Sequence, residues 1–268
     1  MRRWSRCALL SVLLSGQCWQ AEMASFHLVH AAVASESAKD TTKAGCDRAT
    51  MRIVVDVGHT PEAGGALSAR GIHEYEFNLR LATQIRNDLM SAGFLASHLM
   101  TTKGAQRNLE RRADRANKMQ ADLFISIHHD SVQDSYLRRW KHGGREHLYS
   151  DKFKGYSVFV SYANAHVDAS RRFAVDLAQE LKAHGLTFTT HHAEKIKGES
   201  RELIEPDLGV YRFDELVVLK RTNAPAVLLE AGVIVNRAEE LTVATADFRK
   251  RVSESVVAAA LKLCGARP

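Results

Sequence analysis

Short runs of β-forming apolar residues alternate along this chain with segments of helical periodicity. The runs RIVVDVGH (52–59), LFISIHHD (123–130) and PAVLLEAG (225–232) predict strands. Between the first two, apolar residues recur four positions apart in the segment 74–93, which indicates an amphipathic helix. Strands that alternate with helices need crossover connections. The sequence therefore predicts an α/β fold: a single domain with a mostly parallel twisted sheet and helices on both faces.

The remaining periodic segments agree with this fold class. Further strands are predicted at 94–100 and 156–162, and further helices at 108–119 and 170–185. An amphipathic C-terminal helix follows the last strand. The polar, basic and aromatic segment 132–153 interrupts the pattern. We interpret it as an insertion or long loop, a kind of segment that is usually functional or disordered.

The N-terminal residues 1–34 differ in composition from the rest. MRRWSR is basic, ALLSVLLSG is a short apolar run, and AVA at 32–34 has the small-x-small pattern of a cleavage site. These features predict a secretory signal peptide, with a buried helix as the alternative. Residues 35–51 are predicted to be a linker, and 52–268 the folded domain. We expect an exported protein of the periplasm or cell envelope, without stable membrane insertion because no later apolar run approaches about 18 residues.

Charge and cysteine content add two expectations. The net charge of +6 includes three arginines and one glutamate within residues 1–34, so the remainder carries +4. This favours a polyanionic partner such as a cell-wall polymer. Nucleic acid is not expected, because basic and aromatic residues are not interleaved. After removal of the signal peptide two cysteines remain, Cys46 and Cys264, which either form a disulfide or stay as two buried thiols.

Three of the predicted strands deliver polar groups to one edge of the sheet. His59, His128 and Glu230 each stand at the carboxyl end of an apolar run. Ligands of parallel α/β sheets bind at that edge. Imidazole and carboxylate groups are the usual ligands of catalytic zinc, which is held by three protein groups. Taken singly, His59 can also be a loop histidine and Glu230 a member of a buried salt bridge.

The third zinc ligand is expected in the stretch GIHEYEFN (71–78), which follows His59 closely. It offers His73, Glu74 and Glu76, and we favour Glu74 because it lies at the start of the helix. His129 is not expected to be a ligand by this route, since strand alternation sends it to the face opposite His128.

The motifs VVDVGH…GIHEYEFNLRLA, RRADRANKMQADLFISIHHD and APAVLLEAGVIVN resemble those of the zinc-dependent N-acetylmuramoyl-L-alanine amidases of bacterial cell walls. The resemblance covers about residues 52–264. It implies one Zn²⁺ per chain bound by His59, Glu74 and His128, and a catalytic role for Glu230. It also implies hydrolysis of the amide between N-acetylmuramic acid and the L-alanine of the stem peptide in peptidoglycan, a reaction of cell-wall remodelling or daughter-cell separation.

The chain departs from the family pattern at several positions. HTPEAGG replaces the usual Gly-Gly and Asp after the first histidine, and Asp130 replaces an asparagine. The segment 132–154 is longer than in the simplest members. Since some relatives carry an insertion here that covers the zinc until a partner moves it, autoinhibition and an activating protein partner are open alternatives.

The mechanism predicted from the resemblance is metal-assisted hydrolysis, in which Glu230 takes a proton from the attacking water and passes it to the leaving amine. Arg138, Arg139 and Lys141 are predicted to contact stem-peptide carboxylates, with a solvated basic loop as the alternative. Two other functions remain open: a zinc peptidase that cuts within the stem peptide, and a non-catalytic peptidoglycan-binding regulator.

Finally, a surface loop is predicted for His191, His192 and Glu194, with a groove border or a second metal site as alternatives.

Overall fold

The structure is a computed structural model that describes residues 46–104 and 108–265. Within these ranges seven strands form one sheet and two form a separate hairpin. The strands are β1 (Ile53–Val57), β2 (His98–Met100), β3 (Leu123–Asp130), β4 (Arg138–His142), β5 (Arg145–Tyr149), β6 (Ser157–Val160), β7 (Glu202–Glu205), β8 (Val210–Arg212) and β9 (Ala226–Val233). The helices are α1 (Glu74–Ser91), α2 (Leu109–Lys118), α3 (Val167–Ala183), α4 (Val217–Arg221), α5 (Arg237–Val243) and α6 (Ala246–Gly265).

The sheet has the strand order β2-β1-β3-β9-β6-β8-β7. The four strands β2, β1, β3 and β9 run parallel to one another. Strand β6 is antiparallel to β9 and parallel to β8, and β7 is antiparallel to β8. The predicted mostly parallel sheet is confirmed, and the reversed direction of β6 and β8 is a feature that the sequence patterns did not reveal.

Helices cover both faces of the sheet, as predicted. Apolar residues of α1, α3 and α6 form the larger core cluster with Val55, Ile125 and Leu229. Residues of α2 and α4 form the smaller cluster with Phe124 and Leu228. Alternate residues of β3 and β9 therefore point to opposite faces, and both faces are buried.

The segment after β3 is ordered rather than irregular. Residues 138–149 form the antiparallel hairpin β4–β5, and Trp140 anchors it by donating from Nε1 to the carbonyl of Ala69 at 2.8 Å. A short 3-10 turn, Asp134–Tyr136, precedes the hairpin. The segment predicted as an insertion thus contains regular structure of its own, held to the loop that leads into α1.

The ends of the domain are joined. Cys46 and Cys264 form a disulfide with a Cα–Cα distance of 5.0 Å across a sequence separation of 218 residues. The amide of Cys46 also donates to the carbonyl of Cys264 at 3.0 Å. Residues 1–34, predicted as a signal peptide, and residues 35–45 of the predicted linker lie outside the described residues. Among the helices that are described, none has the length and apolar character needed to cross a membrane.

Candidate active site

Three groups predicted as metal ligands meet at the carboxyl edge of the sheet. His59 Nε2 lies 2.8 Å from Glu74 Oε2, and His128 Nδ1 lies 3.0 Å from Glu74 Oε1. One ligand atom from each of the three residues falls within 4.8 Å of the others. Two imidazoles and a carboxylate at this spacing match the donor set of a catalytic zinc site with three protein ligands.

His59 is held in an unusual backbone conformation just beyond β1. Its φ of 64° lies in the left-handed region, which costs free energy for a residue with a side chain. The buried guanidinium of Arg112 compensates by donating to the carbonyls of Val57 and His59. Arg112 also pairs with the buried carboxylate of Asp56 at 2.6 Å. Helix α2 thereby holds the end of β1 and the backbone of His59.

Glu74 is the first residue of α1 and is 4% exposed. Asn78, one turn later, donates to its Oε1 at 3.0 Å, and the amides of His129 and Ala66 donate to its two oxygens at 3.2 and 3.3 Å. Burial alone would raise the pKa of this carboxyl, but hydrogen bonds with His128 and His59 lower it well below its ordinary value. Glu74 is therefore an ionised carboxylate with a fixed orientation.

Two glycines make room for the cluster. A Cβ at Gly58 would lie within 2.6 Å of three ring atoms of His128, and one at Gly65 would meet the Glu74 carboxylate and the His59 ring. Gly65 also has a φ of +77°, which side chains disfavour. A larger residue at either glycine would therefore occupy the space that the three potential ligands need.

Glu230 lies beside this cluster on the neighbouring strand. It is the register partner of His128 across the parallel pair β3–β9, so both side chains leave the same face of the sheet. Burial, with added repulsion from Asp130 and Glu74, raises the pKa of the Glu230 carboxyl well above its ordinary value. Its Oε2 atom has no hydrogen-bond partner among the described residues. A buried polar atom without a hydrogen-bond partner destabilises the fold, and such groups with shifted pKa values are typical of catalytic sites.

A cavity of about 230 Å³ opens onto the two histidines. Its walls combine the polar groups of Asp56, Thr60 and Ser126 with apolar residues of α2, α4 and β9. This combination of an apolar wall and a few converging polar groups is typical of ligand-binding sites.

The alternatives for the third ligand are placed elsewhere. His73 packs its ring against Gly64, and Glu76 is exposed and lies 3.5 Å from Arg80. His129 points to the opposite face, where its Nδ1 lies 2.8 Å from Asn78 Oδ1 and burial lowers its pKa to about 4. Of the three acidic or imidazole groups in 73–76, the structure brings Glu74 alone into the cluster with His59 and His128.

The three predicted substrate contacts lie on the exposed strand β4 and do not line the cavity beside His59. Arg139 forms an ion pair with Glu146 on the facing strand β5. Arg138 lines a different cavity together with Lys152 and Arg237. Lys141 is exposed at the same strand.

The prediction of a surface loop for 191–194 is wrong for both histidines. His191 and His192 are 1% and 8% exposed and lie in a 3-10 turn, His191–Ala193. Both rings contact the carboxylate of Asp130 at the end of β3. Glu194 is partly buried and accepts a hydrogen bond from the hydroxyl of Tyr136 at 2.9 Å.

Two supporting residues escaped the sequence analysis. Asn78 follows Glu74 by four positions, so helical spacing alone could have placed it beside the carboxylate. Arg112 contacts residues more than fifty positions away, and a charged residue in a basic helix gives no local sign of burial. Such a contact depends on how α2 packs against the sheet.

The fold and the cluster define the class of α/β enzymes with a His–Glu–His site at the carboxyl edge of the sheet. Within that class the chain belongs to the N-acetylmuramoyl-L-alanine amidase family, whose family model matches residues 53–262. Membership confirms the family that the motifs predicted.

Known relatives agree with this assignment. The chain is 27% identical over 239 residues to the N-acetylmuramoyl-L-alanine amidase AmiC of Escherichia coli O6:H1, covering 84% of this chain and 55% of that protein. The chain thus spans about half the length of that curated relative.

Solved structures share the fold. The crystal structure of the amidase Ami1 from Mycobacterium smegmatis matches with a TM-score of 0.61 at 19% identity, covering 82% of this chain and 100% of that one. The CwlD amidase from Clostridioides difficile, solved in complex with the GerS lipoprotein, matches with a TM-score of 0.57 at 18% identity, covering 80% and 98%.

Proposed function

We propose that this chain is a zinc-dependent hydrolase that cleaves the amide between N-acetylmuramic acid and the L-alanine of the stem peptide in peptidoglycan. The observation that carries the proposal is the convergence of His59, Glu74 and His128 beside an open cavity, with Glu230 on the same sheet edge. Family membership supplies the substrate class.

The donor set fits zinc. His59, Glu74 and His128 would hold the ion. The hydrogen bonds that Asn78 and the amide of His129 donate to Glu74 favour the ionised carboxylate that a metal requires. Gly58 and Gly65 leave space against the ligands where a side chain would intrude. Zinc held by these residues would supply Lewis-acid chemistry for amide hydrolysis.

Glu230 is the proposed proton shuttle. Its position one strand away from His128 puts a carboxyl group beside the reacting atoms without making it a member of the three-ligand cluster. As a carboxylate it accepts the proton of the attacking water, and as a carboxylic acid it returns that proton to the nitrogen of L-alanine as the amide bond breaks. A neighbouring cation would favour the carboxylate form and offset the pKa rise that burial causes.

Arg138, Arg139 and Lys141 are proposed to contact carboxylates of the stem peptide from the hairpin β4–β5. Their exposure and positive charge support this, together with the anchoring of the hairpin to the loop before α1. Replacement of Arg138 and Lys141 by glutamate should weaken sedimentation of the protein with purified peptidoglycan while zinc content stays unchanged. Unchanged binding would remove these residues from the proposal.

Export, domain limits and an activating partner are also part of the proposal. Residues 1–34 act as a signal peptide, and 35–51 connect it to the catalytic domain 52–268 of a periplasmic or cell-envelope protein. Cys46 and Met51, at the end of this connecting segment, pack against the domain. The disulfide Cys46–Cys264 supports an oxidising compartment. The GerS lipoprotein bound to CwlD supports a protein partner for this chain.

The deciding experiment is digestion of purified peptidoglycan by the exported protein with and without a chelator. Free stem peptides that begin with L-alanine, released only without chelator, are the expected product. Cuts within the stem peptide would indicate a zinc peptidase instead. Binding without chelator-sensitive release would indicate a non-catalytic regulator. The Glu230→Gln variant serves as the inactive control.

A further inference from the structure

A second cluster of metal-binding groups lies outside the proposed zinc site. Asp130 ends β3, and His191 and His192 stand on the 3-10 turn that follows α3. One ligand atom from each of the three residues falls within 4.8 Å of the others. None of these residues belongs to the first cluster, and neither family membership nor the proposed mechanism gives them a role.

The two imidazoles are oriented as metal ligands are. Their Nε2 atoms both face Asp130 Oδ2, at 2.8 Å from His192 and 3.2 Å from His191. Their Nδ1 atoms form hydrogen bonds on the outer side of the cluster. His192 Nδ1 lies 3.0 Å from Glu199 Oε2, and His191 Nδ1 lies 2.9 Å from Thr189 Oγ1. A metal-binding histidine almost always uses its second nitrogen in this way, because the outer hydrogen bond fixes the tautomer and the ring.

One inward atom lacks a hydrogen-bond partner. His191 is 1% exposed, and its Nε2 makes no hydrogen bond with any described residue although Asp130 Oδ2 is 3.2 Å away. Buried polar atoms without partners are rare and cost free energy. This buried nitrogen is therefore directed into the cluster with no hydrogen bond to satisfy it, and a cation placed between the three groups would satisfy it.

The surroundings exclude water and concentrate negative charge. The ring of Phe153 lies 5.0 Å from that of His191, and the ring of Phe159 lies 4.9 Å from that of His192. Two carboxylates, Asp130 and Glu199, flank the imidazoles. A divalent cation between the two Nε2 atoms and Asp130 would therefore lie in a buried site flanked by two carboxylates.

We propose that Asp130, His191 and His192 bind a second divalent metal ion, with zinc as the natural occupant of a site made of two imidazoles and one carboxylate. The metal would tie the segment 189–201 to the end of β3, two residues beyond His128. This inference goes beyond the proposed function, which uses a different set of ligands. Without metal, the same groups form a hydrogen-bonded chain from Glu199 through His192 to Asp130.

The test is zinc stoichiometry of the exported chain after equilibrium dialysis against Zn²⁺, repeated with Co²⁺ so that visible absorption reports imidazole ligation. Four variants accompany the wild type. His59→Gln/His128→Gln removes the first site, His191→Gln removes the second, and the triple variant removes both. His98→Gln changes an exposed histidine of β2 and is the matched control. Near-ultraviolet circular dichroism verifies that each variant is folded.

The expected result is two metals per chain in the wild type and in His98→Gln. His59→Gln/His128→Gln and His191→Gln should each retain one metal, and the triple variant none. The second site is overturned if the wild type holds one metal and His59→Gln/His128→Gln loses it. Two metals in His191→Gln would overturn it as well. If His191→Gln does not fold, the metal retained or lost by His59→Gln/His128→Gln decides the question by itself. If the wild type holds one metal and only His191→Gln, of the two site variants, loses it, the second site is supported and the proposed first site is contradicted.

Discussion

His128 on β3 and Glu230 on β9 are register partners in a parallel pair, so their side chains leave the same face one strand apart. Neighbouring strands are about 4.8 Å apart. A proposed metal ligand and the proposed proton shuttle are thereby held at a fixed spacing by the backbone hydrogen bonds of the sheet. This rigid placement suits a group that must transfer a proton without itself binding the metal.

Glu230→Gln should abolish most hydrolysis and leave the protein otherwise intact. Glutamine keeps the shape of the side chain but cannot accept the proton. Acid–base groups contribute about 10²–10⁴-fold in rate, so peptidoglycan hydrolysis should fall by at least the lower figure. Zinc content and peptidoglycan binding should stay near wild-type levels. Turnover equal to wild type would refute the shuttle role, and loss of zinc would make Glu230 a ligand.

Alanine at His59, Glu74 or His128 should remove the metal of the first site, because a site with three protein ligands has none to spare. His129→Ala should keep most of that metal, since His129 faces α1. Metal analysis of dialysed proteins measures this, with His98→Ala as the surface control. Retained metal in His128→Ala together with loss in His129→Ala would show that the wrong histidine was chosen.

Arg112→Met should destabilise the fold and weaken zinc binding together. The change leaves the buried Asp56 carboxylate without its partner, which costs about 3–5 kcal/mol. It also frees the His59 carbonyl that Arg112 holds. Urea unfolding and zinc titration measure the two effects. Arg111→Met, on the exposed side of the same helix, should change stability by no more than about 0.5 kcal/mol. Equal effects from the two substitutions would contradict the buttressing role.

Removal of the disulfide should lower stability without affecting the site. On the chain-entropy model, a bridge across 218 residues stabilises the fold by about 5 kcal/mol. Cys46→Ser/Cys264→Ser should therefore unfold at lower urea concentration yet hydrolyse peptidoglycan normally. Thiol titration of the denatured, unreduced protein lacking residues 1–34 should detect no free thiol. Two free thiols would show that the bond does not form.

Glu239 predicts a pH dependence of stability. It accepts hydrogen bonds from the amides of Gly155 and Val233, yet burial raises its pKa from 4.5 to about 7. As the pH rises from 4.5 to about 7, Glu239 loses its proton in the unfolded chain but retains it in the folded chain. The free energy of unfolding therefore falls over this pH range. The loss is no more than about 3 kcal/mol. Glu239→Gln should lack this part of the slope in urea unfolding, and parallel slopes for the two proteins would contradict the assignment.

Much of the fold was predictable because its signals are local. The apolar runs of β1, β3 and β9 and the periodicity of α1 and α3 identify those elements within a few residues of their observed ends, and periodicity also indicates the C-terminal helix α6. The reversed direction of β6 and β8 was not predictable, since strand direction depends on where connections cross the sheet. The polar hairpin β4–β5 lacks apolar alternation and therefore resembled a loop.

The first cluster could be predicted because each member lies at the end of a recognisable element. His59 and His128 close apolar strands, Glu74 opens a helix, and parallel strands bring their carboxyl ends to a common edge.

The second cluster could not be predicted in this way. His191 and His192 sit in a segment without periodicity, and their contact with Asp130 spans about sixty residues of chain. Their burial depends on how the segment after α3 folds back over the end of β3. Local patterns record the period of a strand or helix, whereas a contact between an irregular segment and a distant strand end arises only when the whole chain packs.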